Sequence, residues 1–183
     1  MKKFLELLDS LVIVYDIRDG AVVVQEPLAI DKLGDVEQIS IPENTDFEFG
    51  LICHESNVEI QLPENLKAAY VLDLEKTNLT HLPSNLTIYD DCSVYLDVHK
   101  IKNVSYRKNC GRHGRTIFAF WANNDFLIAA GCFAGTYSDF EKRVNYEYYH
   151  YKATAYQRQA QECISELAEK LGKPDPFKKV TAK

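Results

Sequence analysis

At 183 residues the chain is long enough for one sizeable core or for two small ones sharing an interface. A hydrophobic content of 46% with 26% charged residues excludes wholesale disorder, and no apolar run approaches the roughly 20 residues needed to cross a bilayer. The net charge of −6 is unevenly placed, because residues 1–100 carry 7 Lys/Arg against 19 Asp/Glu whereas residues 101–183 carry 14 against 8. An acidic front half and a basic back half therefore present two different electrostatic surfaces.

The opening Lys2-Lys3 and the apolar run Leu11-Val12-Ile13-Val14 superficially resemble a signal peptide, but Glu6 and Asp9 interrupt it and no small-residue cleavage site follows. The five cysteines, Cys53, Cys92, Cys110, Cys132 and Cys163, are odd in number and widely spread, which reads as a cytoplasmic chain with reduced thiols. Apolar residues at 4, 5, 7 and 8 predict a short amphipathic helix over 2–10. Residues 11–17 and 21–24 follow as β-rich runs joined by Asp19-Gly20, a hairpin dipeptide. Together these form the expected N-terminal cap, residues 1–38, which a solenoid needs to cover its first layer.

Residues 39–104 are governed by a repeat. Pro42-Glu43-Asn44, Pro63-Glu64-Asn65 and Pro83-Ser84-Asn85 recur at intervals of 21 and 20 residues, a period typical of leucine-rich solenoids. Counted from each proline, Leu51, Cys53, Ser56 and Val58 occupy the same slots as Leu72, Leu74, Thr77 and Leu79. Leu72-Asp73-Leu74 is predicted to be a strand with both leucines inward and Asp73 outward, with Leu79, Leu82 and Leu86 filling the same core. Thr77 is placed to satisfy backbone groups in the following bend. In the third copy Leu96-Asp97-Val98 resembles Leu72-Asp73-Leu74 but lies four residues later, with Tyr89 to Cys92 as a lengthened turn.

From residue 105 the character changes. Residues 110–115 read as a basic glycine-containing loop, and residues 116–121 and 126–130 as two strands joined through Asn123-Asn124. Gly131 to Thr136 reads as a tight strand-to-helix connection, with Thr136 and Asp139 as a helix-start pair. Helices are expected from about Tyr137 to Tyr148 and from about Tyr151, the second ended by Gly172 and Pro174. The fold class is therefore α+β: a short leucine-rich-repeat-like solenoid with an N-terminal cap, fused to a β-hairpin and two-helix unit over 105–183.

The run Leu-Pro-Ser-Asn-Leu-Thr at 82–87, with Leu72-Asp73-Leu74, Thr77 and Leu79, resembles the short phage and bacterial leucine-rich repeats of the Leu-Pro-x-Asn-Leu type. The segment from Arg115 through Gly131-Cys132-Phe133-Ala134-Gly135-Thr136 to Val144 is similar to a C-terminal module of unassigned function that follows such repeats. The resemblance implies a solenoid acting inside a host cytoplasm. It supplies no catalytic residues.

Three functional readings follow. In the first, the chain is a non-enzymatic interaction module whose outward rows include Glu55, Asn57, Asp73, Glu75, Tyr95 and Asp97, with Arg107, Lys108, Arg112 and Arg115 as a second, basic contact group. Its partner would be a host protein, such as a nucleic-acid-processing enzyme or a defence complex, inhibited by steric and electrostatic blocking, with no membrane involved. Solubility alone also explains an acidic face. In the second, Cys132 at a helix start is a nucleophile with His113 as its base and Asp125 or Asp139 as orienter, although Cys132 between Ala130 and Phe133 also reads as buried packing. In the third, the basic loop 107–115, with Tyr106, binds nucleic acid directly. Cys110-x-x-His113, with Cys132 or His99, is half a metal site without the second close pair that zinc requires, so no metal or other cofactor is expected. Tyr146, Tyr148, Tyr149, Tyr151 and Tyr156 are divided between core and surface, where tyrosine anchors partner interfaces well.

Overall fold

A computed structural model describes residues 1–30, 38–54, 59–110 and 114–178. The chain divides into two units, Met1–Lys102 with Ala122–Asn124, and Asn103–Trp121 with Asp125–Lys183.

The first unit opens with helix α1 (Lys2–Ser10), which buries Phe4 and Leu8, and the antiparallel hairpin β1 (Tyr15–Arg18) and β2 (Ala21–Val24). Asp19 and Gly20 both adopt positive φ, 52° and 81°, the geometry a two-residue hairpin demands. There follow β3 (Leu28–Ala29), β4 (Gln38–Ser40), β5 (Asp46–Phe47), β6 (Leu51–Ile52), β7 (Glu59–Gln61), β8 (Lys67–Ala68), β9 (Val71–Leu74), β10 (Thr87–Ile88) and β11 (Ser93–Leu96). They stack into a parallel β-solenoid of about three turns. One side is the sheet β1-β2-β5-β8-β10, a second is β11-β9-β6-β3, and β4 pairs with β7 on a third. Strands thus recur on more than one side of each turn, and what the repeat specifies is a β-solenoid. The pairing of Leu28, Leu51, Leu72 and Val94 in one row sets the core spine. Leu28, Leu51 and Leu72 are fully buried.

The Pro-x-Asn motif has a local cause. Asn44 and Asn65 sit at φ of 59° and 57°, a left-handed conformation asparagine tolerates, and each turns the chain into the next strand. Asn85 in the third copy does not adopt that conformation, and Glu64 of the preceding copy accepts from the Ser84 hydroxyl at 2.7 Å and from the Asn85 amide at 3.1 Å. Thr77 behaves as its position requires, donating to the Leu74 carbonyl at 2.8 Å while buried. At Gly50 (φ 115°) a Cβ would lie 2.5 Å from Val71 Cγ1 and 2.9 Å from its carbonyl, so glycine lets adjacent turns approach.

Two expectations need revising. The slots of Leu72 and Leu74 are taken in the next turn by Val94 and Leu96, so the third repeat is lengthened by two residues and not by four. Leu82 and Leu86 are buried, but Leu79 is only half-buried and lines a surface groove with Ile60 and Leu62. Residues 78–81 carry no strand, and β7 pairs only with β4 among the described residues, so that side's sheet is not extended into the third turn. Ser56 and Val58 lie outside the described residues.

The second unit is a four-stranded sheet in the order β12 (Val104–Cys110), β13 (Arg115–Ala122), β14 (Asp125–Ala130), β15 (Phe133–Thr136), followed by α2 (Tyr137–Glu147) and α3 (His150–Leu171). Ile117, Ala119, Phe126 and Ile128 share a core with Phe140, Val144, Tyr156, Ile164 and Leu167 of the helices. Asn123 and Asn124, at φ of 55° and 56°, make the tight turn expected of them. Thr136 caps α2 by accepting from the Asp139 amide, and Gly172 ends α3 in the left-handed conformation. Trp121 packs edge-on against Phe126, with Lys173 Nζ 3.7 Å from its ring centre. No helix of the described residues is long and apolar enough to cross a membrane.

Candidate interaction face of the solenoid

Strand alternation decides what this face displays. With Leu72 and Leu74 inward, Asp73 must point out, and parallel in-register pairing places Ile52 and Tyr95 on either side of it. One step beyond, the same register aligns His54, Glu75 and Asp97 on successive turns. The outcome is two short rows of outward side chains, the first on the hydrogen-bonded sheet and the second just past its strand ends, with four acids or histidine among them.

Each acid is held differently. Asp73 accepts from the Glu75 amide through Oδ1 at 3.1 Å and presents Oδ2 to His54 Nδ1 at 3.7 Å. Glu75 lies 3.8 Å from the same nitrogen, and its carboxyl is pushed above the ordinary range by partial burial and then by the neighbouring Asp73 charge. Asp97 accepts from Lys100 Nζ at 2.7 Å and from the Lys76 amide at 3.0 Å. Burial pushes its carboxyl up, but Lys100 and the amide outweigh that and hold it below the usual carboxylate value.

The remaining predicted residues are dispersed. Glu55, Asn57, Arg112 and His113 lie outside the described residues. Arg107 is committed within its own unit: its guanidinium forks onto Glu166, with Nη1 3.0 Å from Oε2, and reaches Glu162 at 3.5 Å. Ser105 donates to the same Glu166 carboxylate at 2.7 Å. Lys108 is exposed with Nζ 5.8 Å from the Tyr106 ring centre, and Arg115 is exposed opposite Cys110 at the start of β13. The basic group is therefore partly a strand with an internal ion pair, which the loop reading did not anticipate.

Cys132 sits in the turn between β14 and β15, exposed, with Arg143 Nη2 3.9 Å from its sulfur. Strand β15 separates it from α2, so the helix-end amides invoked to activate it belong four residues further on, at Thr136. The buried-packing reading of Cys132 is corrected as well. Asp139 is occupied by the Thr136 cap and Lys142, and Asp125 accepts from the Phe126 amide. Cys53, Cys92, Cys110 and Cys163 are buried, and none of the five cysteines is in a disulfide. Burial pushes the Cys92 and Cys163 thiols up to about 12.

Sequence reasoning missed Ile52 and His54 on this face, and His54 is the one that carries chemistry. Its signal was present, since Glu75 follows it by 21 residues and Asp97 follows Glu75 by 22, the spacing of the turns themselves.

Fold and face together define a short β-solenoid joined to an α+β unit, with an acidic outer face on one solenoid sheet. Compared with protein-family models, with curated proteins and with solved structures, the chain finds no match.

Proposed function

We propose that the chain is a non-enzymatic protein-binding module that uses the β6-β9-β11 face to dock a basic surface of a partner and block it sterically and electrostatically. The observation that supports this reading is the acidic register itself: Asp73 is fixed by sheet pairing, Asp73 and Asp97 each accept a backbone amide, Glu75 follows just past the end of β9, and Tyr95 lies beside Asp73 as an aromatic anchor. A preorganised charged row loses little conformational entropy on binding and steers encounter with an oppositely charged partner. The phage-type resemblance of the repeats extends the proposal to a host partner, either a nucleic-acid-processing enzyme or a defence complex. The Cys132 and nucleic-acid readings have less support, the first because β15 intervenes before α2 and the second because Arg107 is already neutralised by Glu166.

The test is capture of a host partner by the tagged full chain, repeated with Asp73→Lys and Glu75→Lys variants whose circular dichroism matches wild type. The reading expects a defined partner whose association falls at least about tenfold on either charge reversal and weakens with salt. Undiminished capture by both variants would dismiss this face.

A further inference from the structure

We propose that His54, Asp73 and Glu75 form a site for a divalent transition-metal cation of the zinc class. Each residue offers one donor atom, and the three atoms lie within 4.8 Å of one another. His54 Nδ1 stands 3.7 Å from Asp73 Oδ2 and 3.8 Å from Glu75 Oε2. Ligands bound at about 2.0–2.1 Å to a tetrahedral ion stand roughly 3.3 Å apart, so small rotations of side chains already facing one another would bring three donors onto one ion and leave the fourth position open.

The orientation of the donors carries the inference beyond a patch of acids. The His54 ring is 39% exposed, yet Nδ1 itself is shielded from solvent and turned toward the two carboxylates. Asp73 is steered from behind, because the Glu75 amide holds Oδ1 and leaves Oδ2 directed at the imidazole. Such outer hydrogen bonding is how metal ligands are ordinarily aimed. Asp97, in the same row, has Lys100 as its own cation. One imidazole with two carboxylates suits zinc, cobalt, nickel or manganese better than magnesium or calcium, and the two negative charges offset those of the ion. The ligands come from adjacent turns, so the donor set exists only in the folded solenoid and binding must stabilise it.

The ordinary alternative is a histidine that only packs beside two acids and takes up no metal. Calorimetric titration of the full chain with Zn²⁺ at neutral pH separates the two. The site predicts one saturable equivalent, a raised Tm, and at least about tenfold weaker binding in each of His54→Gln, Asp73→Asn and Glu75→Gln, with Asp97→Asn and Cys132→Ser unchanged. Co²⁺ substitution should give visible ligand-field bands without a thiolate charge-transfer band. Absence of saturable binding, wild-type affinity in His54→Gln, or loss of binding in Cys132→Ser would each overturn the assignment. Asp73 and Glu75 are shared with the proposed docking face, and because no partner protein enters the titration, its outcome is read separately from that proposal.

Discussion

Glu166 carries the strongest electrostatic commitment of any single carboxylate described. Hydrogen bonding from Arg107, reinforced by the Ser105 hydroxyl, lowers its pKa from 4.5 to about 2 against the opposing effect of burial. A carboxyl depressed in the folded state contributes stability that is present above its ordinary pKa and is lost as pH falls through the folded value. Acid unfolding of the second unit should therefore gain a component between about pH 4.5 and pH 2 that Glu166→Gln removes. At neutral pH the same substitution should cost about 1 kcal/mol, a modest figure because the pair is partly exposed. Urea unfolding at a series of pH values checks both, and a variant whose pH profile superimposes on wild type would contradict the assignment. Charge counting could not expose this pair, since the partners are 59 residues apart.

Elements were legible where their signals are local. Helix α1, the Asp19-Gly20 and Asn123-Asn124 turns, the Thr136 cap and the Gly172 stop all follow from residues adjacent in the chain. Strands β12 and β15 were not legible, because Ser105 to Asn109 has weak apolar alternation and Phe133 to Thr136 is only four residues with a glycine inside. Long-range pairing supplies what those segments lack. Asn123 shows how pairing can also come from a side chain. Within the first unit it extends the β10 edge: its amide donates to Leu86 O at 2.9 Å, its Oδ1 accepts from Ile88 N at 2.8 Å, and its Nδ2 donates to Ile88 O at 2.8 Å. Asn123→Ala should thus be costlier than loss of a turn residue alone, by about 1–3 kcal/mol, and should speed amide exchange at Ile88. Unchanged protection at Ile88 would show that the edge is held by other means.

On the scale of the whole molecule, a solenoid is nearly one-dimensional: each turn is stabilised by the turns on either side. Leu72 on β9 has β6 and β11 as neighbours, whereas Leu28 on β3, at the end of that sheet, pairs among the described residues with β6 alone. Both leucines are fully buried. Leu72→Ala should cost about 3 kcal/mol and exceed Leu28→Ala, measured by urea unfolding, while equal losses would argue against turn-by-turn stacking. The sequence alone determined the period, the inward and outward assignment of Leu72, Asp73 and Leu74, and the change of architecture after residue 104, since these depend on spacing and on conformational preferences of neighbouring residues. Only tertiary structure decided that two residues, not four, are inserted in the third turn, that Arg107 is occupied by Glu166, and that His54 faces Asp73 and Glu75. Register is set by which side chains fill a shared core, and that choice is made between segments distant in the chain.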